Sequence, residues 1–536
     1  MHAEVIYRGG PVYSGHLGWK PQEALATAGG RVLAIGTESE VMQRRGPQTR
    51  VVELEGRALL PGLIDAHLHI LGYALTLDLL YVAGLPSLQA MRERVAAEAA
   101  RRPAGEWIIG RGWDQDRWAE RREPTKEDLD AVSPDHPVYL QRNCNHVAVV
   151  NSAALRAAGI TRETPDPEGG KIDRDPVTGE PTGMLRETAQ ALIQRVIPQV
   201  DGPRRRQLLE RAMREALSYG ITQLHTDDCR YGGGLEAVRE LFTSMVGPDR
   251  IPLRITQMIL MEDVERAAAQ GVKTGAGDEW FRWGQVKIFA DGSLGGRTAA
   301  LLEPYADDPS TRGIYIHPAE EFKALVAKAH ALGNQVGAHC IGDGGAQLFI
   351  EAVAEAQRKH PRPDARHRMI HCQILNEGQM DRMVEEGIVG DIQPVFLKSD
   401  GYWFADRVGP ERARTSYAWR SLLEKGVPLC GGSDCPIEPL NIWYGIYCAV
   451  TRKDLNGYPE GGWQPEQRLT VAEALDMYTT GASYSTFEEY FKGALAPGMA
   501  ADLIVVDRDP FTCDPDELKD VQVLLTVVGG VVAHEA

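Results

Sequence analysis

The chain has 536 residues, 43% of them apolar and 25% charged, with a formal net charge of −17 that argues against a nucleic-acid partner, whose phosphates call for a basic face. Its eight cysteines are scattered without a C-x-x-C pair, so neither a disulfide framework nor a zinc knuckle is expected. The start lacks a signal-like basic and apolar pattern, and no run of about 18 uninterrupted apolar residues occurs, which predicts a cytoplasmic protein without a membrane span.

In chain order, residues 1–58 read as short strands and turns: "AEVIYRGGPVY", "EALATAGGRVLAIG" and "TRVVELEGRALL". The stretch "LLPGLIDAHLHILGYA" follows, and residues 59–73 are predicted as the first barrel strand. Alternate side chains of a strand share a face, so His67 and His69 project together. By itself such a pair fits a metal site or two satisfied core histidines.

From His69 to Lys287 the chain runs 218 residues, where about three barrel units of ~31 residues each are expected. The surplus falls in 74–190, with strand patterns "EWIIGRGW", "PVYLQR" and "HVAVV" and the turn signal "DRDPVTGEPTG". It is read as an inserted α+β domain on the substrate side, over the barrel mouth. Within 191–490, strand patterns at 221–227, 253–260, 284–291, 335–343, 368–374, 388–394 and 427–434 alternate with helical ones such as "EEFKALVAKAHALG". Eight strands with crossovers predict an α/β protein built on a (β/α)8 TIM-like barrel. Residues 491–536 return to strand character and are expected to join 1–58 in a small β-sandwich made from both chain ends.

Six residues of metal-ligand type fall at the ends of predicted strands: His67 and His69 on the first, Lys287 on the fourth, His339 on the fifth, His371 on the sixth and Asp434 on the eighth. Active sites of this architecture sit at the C-terminal ends of the strands. Singly, each has an ordinary reading: a core histidine, a surface lysine, a capping aspartate. Together they point to a metal centre. Cys340, Cys372 and Cys435 each follow a ligand and, by alternation, are read as packing residues. Asp343 is read as an N-cap, Asn151 as another, and His225 as a core histidine.

The motifs "PGLIDAHLH", "VKIFADGSLGGRTA", "HCIGD", "GSDCP" and "GALAPGMAADLIVVD" resemble those of the amidohydrolase superfamily, and most closely the subgroup of N-substituted formamide deformylases and related metal-dependent hydrolases. The resemblance implies that His67, His69, His339, His371 and Asp434 are metal ligands. It implies that Lys287 carries a CO2-derived carbamate bridging two divalent ions, taken as Zn2+, with one or two ions bound. The family's glutamate before the sixth-strand histidine is replaced by Ile370. The resemblance also implies that His146 and the Trp113–Asp114 region border a substrate pocket, the alternative being an aromatic core within the insertion. Arg297, in "GSLGGRTA", either binds a substrate anion or caps its own loop.

The expected function is hydrolysis of an amide-type C–N bond of a small molecule, an N-substituted formamide or N-acyl amine, with Asp434 as proton carrier. A lactone, a carbamate or an amidine-type deamination target stands as the alternative on the same site. A non-catalytic binding protein has no need for all six residues. No nucleic-acid or membrane partner is expected, and a homodimer is the assembly considered.

Overall fold

The computed structural model describes every residue except His16, Leu17, Asn145 and Gln199. It divides into two units, one made of Met1–Tyr73 with Leu209–Ala536, the other of Ala74–Leu208. Among the described residues, no helix is long and apolar enough to cross a membrane.

The first unit holds the barrel. Its strands are β1 (Leu63–Leu68), β2 (Ile221–Thr226), β3 (Arg254–Leu260), β4 (Phe281–Phe289), β5 (Val336–Cys340), β6 (Arg368–His371), β7 (Val389–Ile392) and β8 (Leu429–Gly431). They lie side by side in chain order, and each pairs with the next in parallel. Helices cover such a sheet from outside, which is why the strands read as near-continuous apolar runs. The ring is nearly closed. Past the end of β8, the Asp434 N–H donates to the His67 carbonyl at 2.7 Å, and the Ser433 N–H donates to Asp65 Oδ1 at 3.0 Å. A Cβ on Gly432 would lie 2.6 Å from the His67 nitrogen, so only glycine allows the backbones this close.

The segment predicted as one strand at 59–73 is divided in the structure. Ala58–Pro61 pairs antiparallel with Leu503–Val506 in a different sheet, β1 starts at Leu63, and a helix begins at Ile70. Pro61 has no N–H to continue a ladder, and Gly62 packs where a Cβ would collide with Thr222. An apolar run with no polar break hides this change of sheet.

The two chain ends meet in one eight-stranded sheet. Its order is Val531–Glu535, Val523–Val528, Leu503–Val506, Ala58–Pro61, Val5–Tyr13, Pro21–Ala28 and Arg31–Gly36, with Arg50–Glu53 beside Val5–Tyr13. Tyr7 and Leu25 pack in one apolar cluster, while their neighbours Ile6 and Ala24 pack in another, as alternation along a strand requires.

The second unit has a six-stranded sheet in the order Gly170–Arg174, Pro181–Glu187, Val147–Val150, Val138–Arg142, Ile108–Trp113 and Leu80–Tyr81. One core cluster contains Met91, Ile108, Trp113, Trp118 and Leu140, and a second contains Tyr139, Ala148, Leu155 and Leu185. Asn151 caps the helix Ser152–Ala157, its Oδ1 accepting from the Ala154 N–H at 3.0 Å.

Candidate metal centre

His67 lies near the end of β1 and is fully buried, and His69 follows one residue past the strand. Asp434 sits just beyond β8 with φ +56°, a left-handed turn that leaves its N–H on the His67 carbonyl. One donor atom from each of His67, His69 and Asp434 lies within 4.8 Å of the other two. Asp434 Oδ1 stands 3.6 Å from His67 Nε2 and 3.4 Å from His69 Nε2.

The second nitrogen of each imidazole shows how the ring is oriented. His69 Nδ1 lies 2.8 Å from the Asp227 carbonyl and donates to it, which turns Nε2 towards Asp434. Burial opposes charge on this ring, but the hydrogen bond to Asp434 and the charge around it prevail and lift its pKa to about 9. In the metal-free protein that proton sits where a cation's charge would. His339 Nε2 is 3.1 Å from the Gly292 carbonyl and donates to it, leaving Nδ1 as the lone-pair nitrogen. His371 Nδ1 is 2.8 Å from Gln393 Oε1, which leaves Nε2.

His371 should by alternation face away from Arg368, three residues earlier on β6. Its φ of +74° turns it inwards instead, so that its ring centroid lies 4.4 Å from that of His339 and 5.6 Å from that of His67. Ile370, in place of the family glutamate, is fully buried.

Lys287 on β4 is 2% exposed, and its Nζ lies 3.3 Å from His67 Nε2. Burial lowers its pKa from the ordinary lysine value. Burial, then the Lys287 charge, hold His67 well below the usual imidazole range, and its Nδ1 is buried without a hydrogen-bond partner. Four imidazoles, three of them held below the usual range chiefly by burial, together with a carboxylate and a buried amine, form a donor set suited to a divalent cation of borderline softness. The residues fit a metal.

Four further groups support this site and were not singled out by sequence. Asp291, pushed up to about 7 by burial, accepts from the backbone of Ala300, Ile341 and Gly342 and lies 3.8 Å from His339 Nε2. Asp65 anchors Ser433, while Asp391 and Gln393 sit beneath His371. Asp65, like His67, is one step of two along β1, so the alternation that marks His67 and His69 could have marked it too.

The predicted substrate residues have other partners. Trp113 is corrected to a core residue: it is fully buried and its Nε1–H donates to the Leu140 carbonyl at 2.9 Å. Asp114 caps the turn Gln115–Arg117 and accepts from Arg142 at 3.2 Å. His146 is exposed, with Nδ1 2.9 Å from Glu187 Oε2. Arg297 is paired with Asp307, its Nε and Nη2 donating to it at 3.2 and 2.9 Å. Asp343 is not an N-cap: Gly342 is, and Asp343 opens the helix Asp343–Lys359 while accepting from the Leu302 N–H at 2.9 Å. His225 and the cysteines 340, 372 and 435 are buried packing residues.

Among known proteins, the chain is 37% identical to YtcJ of Bacillus subtilis (strain 168) over 99% of both chains. It is 29% identical to the N-substituted formamide deformylase of Arthrobacter pascens, covering 96% of this chain and 95% of that one. A crystal structure of an uncharacterized metal-dependent hydrolase from Pyrococcus furiosus superposes with a TM-score of 0.77 at 30% identity, over 95% of this chain and 100% of the other. The amidohydrolase family profile matches residues 50–534. Because that match takes in all eight barrel strands, the Ala74–Leu208 unit and the C-terminal strands, the chain belongs to the amidohydrolase family.

Proposed function

We propose that this hydrolase cleaves an amide-type C–N bond of a small molecule, with an N-substituted formamide or N-acyl amine as substrate and zinc as the metal. The observation that carries the reading is the gathering of His67, His69 and Asp434 within 4.8 Å, with the Lys287 amine 3.3 Å from His67. The relative named N-substituted formamide deformylase supports the bond type.

His67, His69 and Asp434 would hold one ion, and His339 and His371 a second, with Lys287 between them. A divalent ion, when bound, lowers the pKa of a water from 15.7 to about 7 and polarises a carbonyl. Asp434 takes a proton from the attacking water and returns it to the leaving nitrogen, a task suited to a carboxylate placed beside His67 and His69. Lys287 cannot bridge cations as an ammonium. In its unprotonated form, which burial favours, the amine would form an N–C bond to CO2 and release one proton, giving a carboxylate whose single negative charge is shared by two oxygens.

The zinc-loaded protein should turn over a formamide or an N-acyl amine in a panel that also holds lactones, carbamates and cyclic amides. Turnover confined to lactones would overturn the C–N assignment. His67→Ala and His69→Ala should each lower bound zinc, measured by elemental analysis, because the cation loses a ligand. A parent protein that binds no metal after growth with zinc, and gains no activity when zinc is added, would overturn the whole reading.

A further inference from the structure

Beneath the candidate ligands lies a layer of buried polar side chains that the hydrolytic reaction itself does not use. Arg368, at the start of β6, is fully buried, as is Asp391 on β7. Arg368 Nη2 donates to Asp391 Oδ2 at 2.6 Å and to the Ala66 carbonyl, beside His67, also at 2.6 Å. Its Nη1 donates to Gln285 Oε1, two residues before Lys287, at 3.1 Å and lies 3.4 Å from His225 Nδ1. Gln393 shares the face of Asp391, two residues on, and its Nε2 donates to Asp391 Oδ1 at 3.2 Å. The other end of that amide, Oε1, meets His371 Nδ1 at 2.8 Å.

The direction of these bonds is forced. A guanidinium only donates and an ionised carboxylate only accepts. Asp391, paired with Arg368, must therefore receive the amino end of Gln393. Gln393 then has only its oxygen left for His371, so His371 must carry its proton on Nδ1 and keep a lone pair on Nε2. We propose that Gln393 and Asp391 are positioning residues: the Arg368–Asp391 ion pair, acting through the Gln393 amide, fixes the tautomer of His371 and so keeps its Nε2 available as a ligand. The inference rests on the reading of His371 as a zinc ligand. Partners behind a ligating histidine typically contribute 10–100-fold to metal affinity.

The test uses the full-length protein and zinc alone, with affinity measured by competition against a chromophoric chelator. Gln393→Met keeps the side-chain length, removes the acceptor and should bind zinc about 10–100-fold more weakly. Asp391→Asn should also weaken binding, because the Asn amino group faces the Gln393 amino group and drives that amide to flip towards His371. Gln393→Glu should weaken it by setting two carboxylates face to face. The double variant Asp391→Asn/Gln393→Glu restores the side-chain relay from Arg368 to His371 with its middle bond reversed, losing only the donation of Gln393 Nε2 to the Asp391 main-chain carbonyl at 3.3 Å. It should recover to within about threefold of the parent, whereas the effects of two unrelated lesions add.

Parent-like affinity in Gln393→Met, or a double variant no tighter than its single parents, would overturn the inference. A second readout needs no metal and no variant. Selective 15N-histidine spectra of the zinc-free parent should show His371 protonated on Nδ1, and a proton on Nε2 would overturn the relay. If the parent fails to bind zinc while this spectrum shows the Nδ1 proton, the metal reading has failed and the relay stands.

Discussion

Lys287→Ala is expected to lose activity by more than about 100-fold, since even groups one shell removed from a metal are worth 10–100-fold. Bound zinc should fall at the same time, because Lys287 lies against His67 and, on the proposed function, is the ligand that two ions share. The substitution also leaves a small space in a fully buried layer. Acetate or propionate, supplied at tens of millimolar, should enter that space and return part of the activity in a saturable way. The measurement is kcat/KM with and without the added acid, alongside metal content. An alanine variant with parent-like activity and zinc would show that Lys287 is no bridge, and rescue by neutral acetamide as effective as acetate would remove the need for an anion there.

Trp113→Ala is expected to destabilise the Ala74–Leu208 unit by about 3–5 kcal/mol, the usual cost of emptying a buried aromatic site. The indole is fully buried beside Trp118, at 6.1 Å between ring centroids, and its loss also removes the N–H donated to the Leu140 carbonyl. Denaturant unfolding, followed by limited proteolysis to locate the cut sites, should show earlier opening within residues 74–208. Zinc content should stay at the parent level. A variant of unchanged stability that only weakens substrate binding would restore Trp113 to the pocket. His146→Ala removes only an exposed pair with Glu187 and should leave the unfolding midpoint at the parent value.

The difference between these two residues shows what the sequence carried. Lys287 sits in an apolar run at a strand end, and its position in the ring of strands follows from period and spacing alone. The eight barrel strands were legible for that reason, since each is buried on both faces and bounded by turns or helical periods. The join at Pro61–Gly62 was not, because one apolar run serves two sheets. Trp113 could not be placed by pattern, because an aromatic cluster reads the same whether it lines a pocket or fills a core. The left-handed turns at His371 and Asp434 were equally hidden, as neither residue is glycine and the turn is imposed by neighbouring strands. Gln393 and Asp391 showed only as "DIQ" within a short predicted strand, with nothing local to link them to a histidine on the adjacent one.

The seam between β8 and β1 also bears on how the protein is made. Asp434 follows His67 by 367 residues, yet their backbones are hydrogen-bonded across the seam. Closing so long a loop is entropically costly and slow compared with pairing neighbouring strands. During synthesis the histidine pair is exposed first and waits for nearly the whole barrel before its acidic partner arrives. A growing chain therefore holds His67 and His69 without Asp434 until the last barrel strand is made. The three donor atoms that lie within 4.8 Å of one another in the folded protein are thus assembled by the closure of the ring itself.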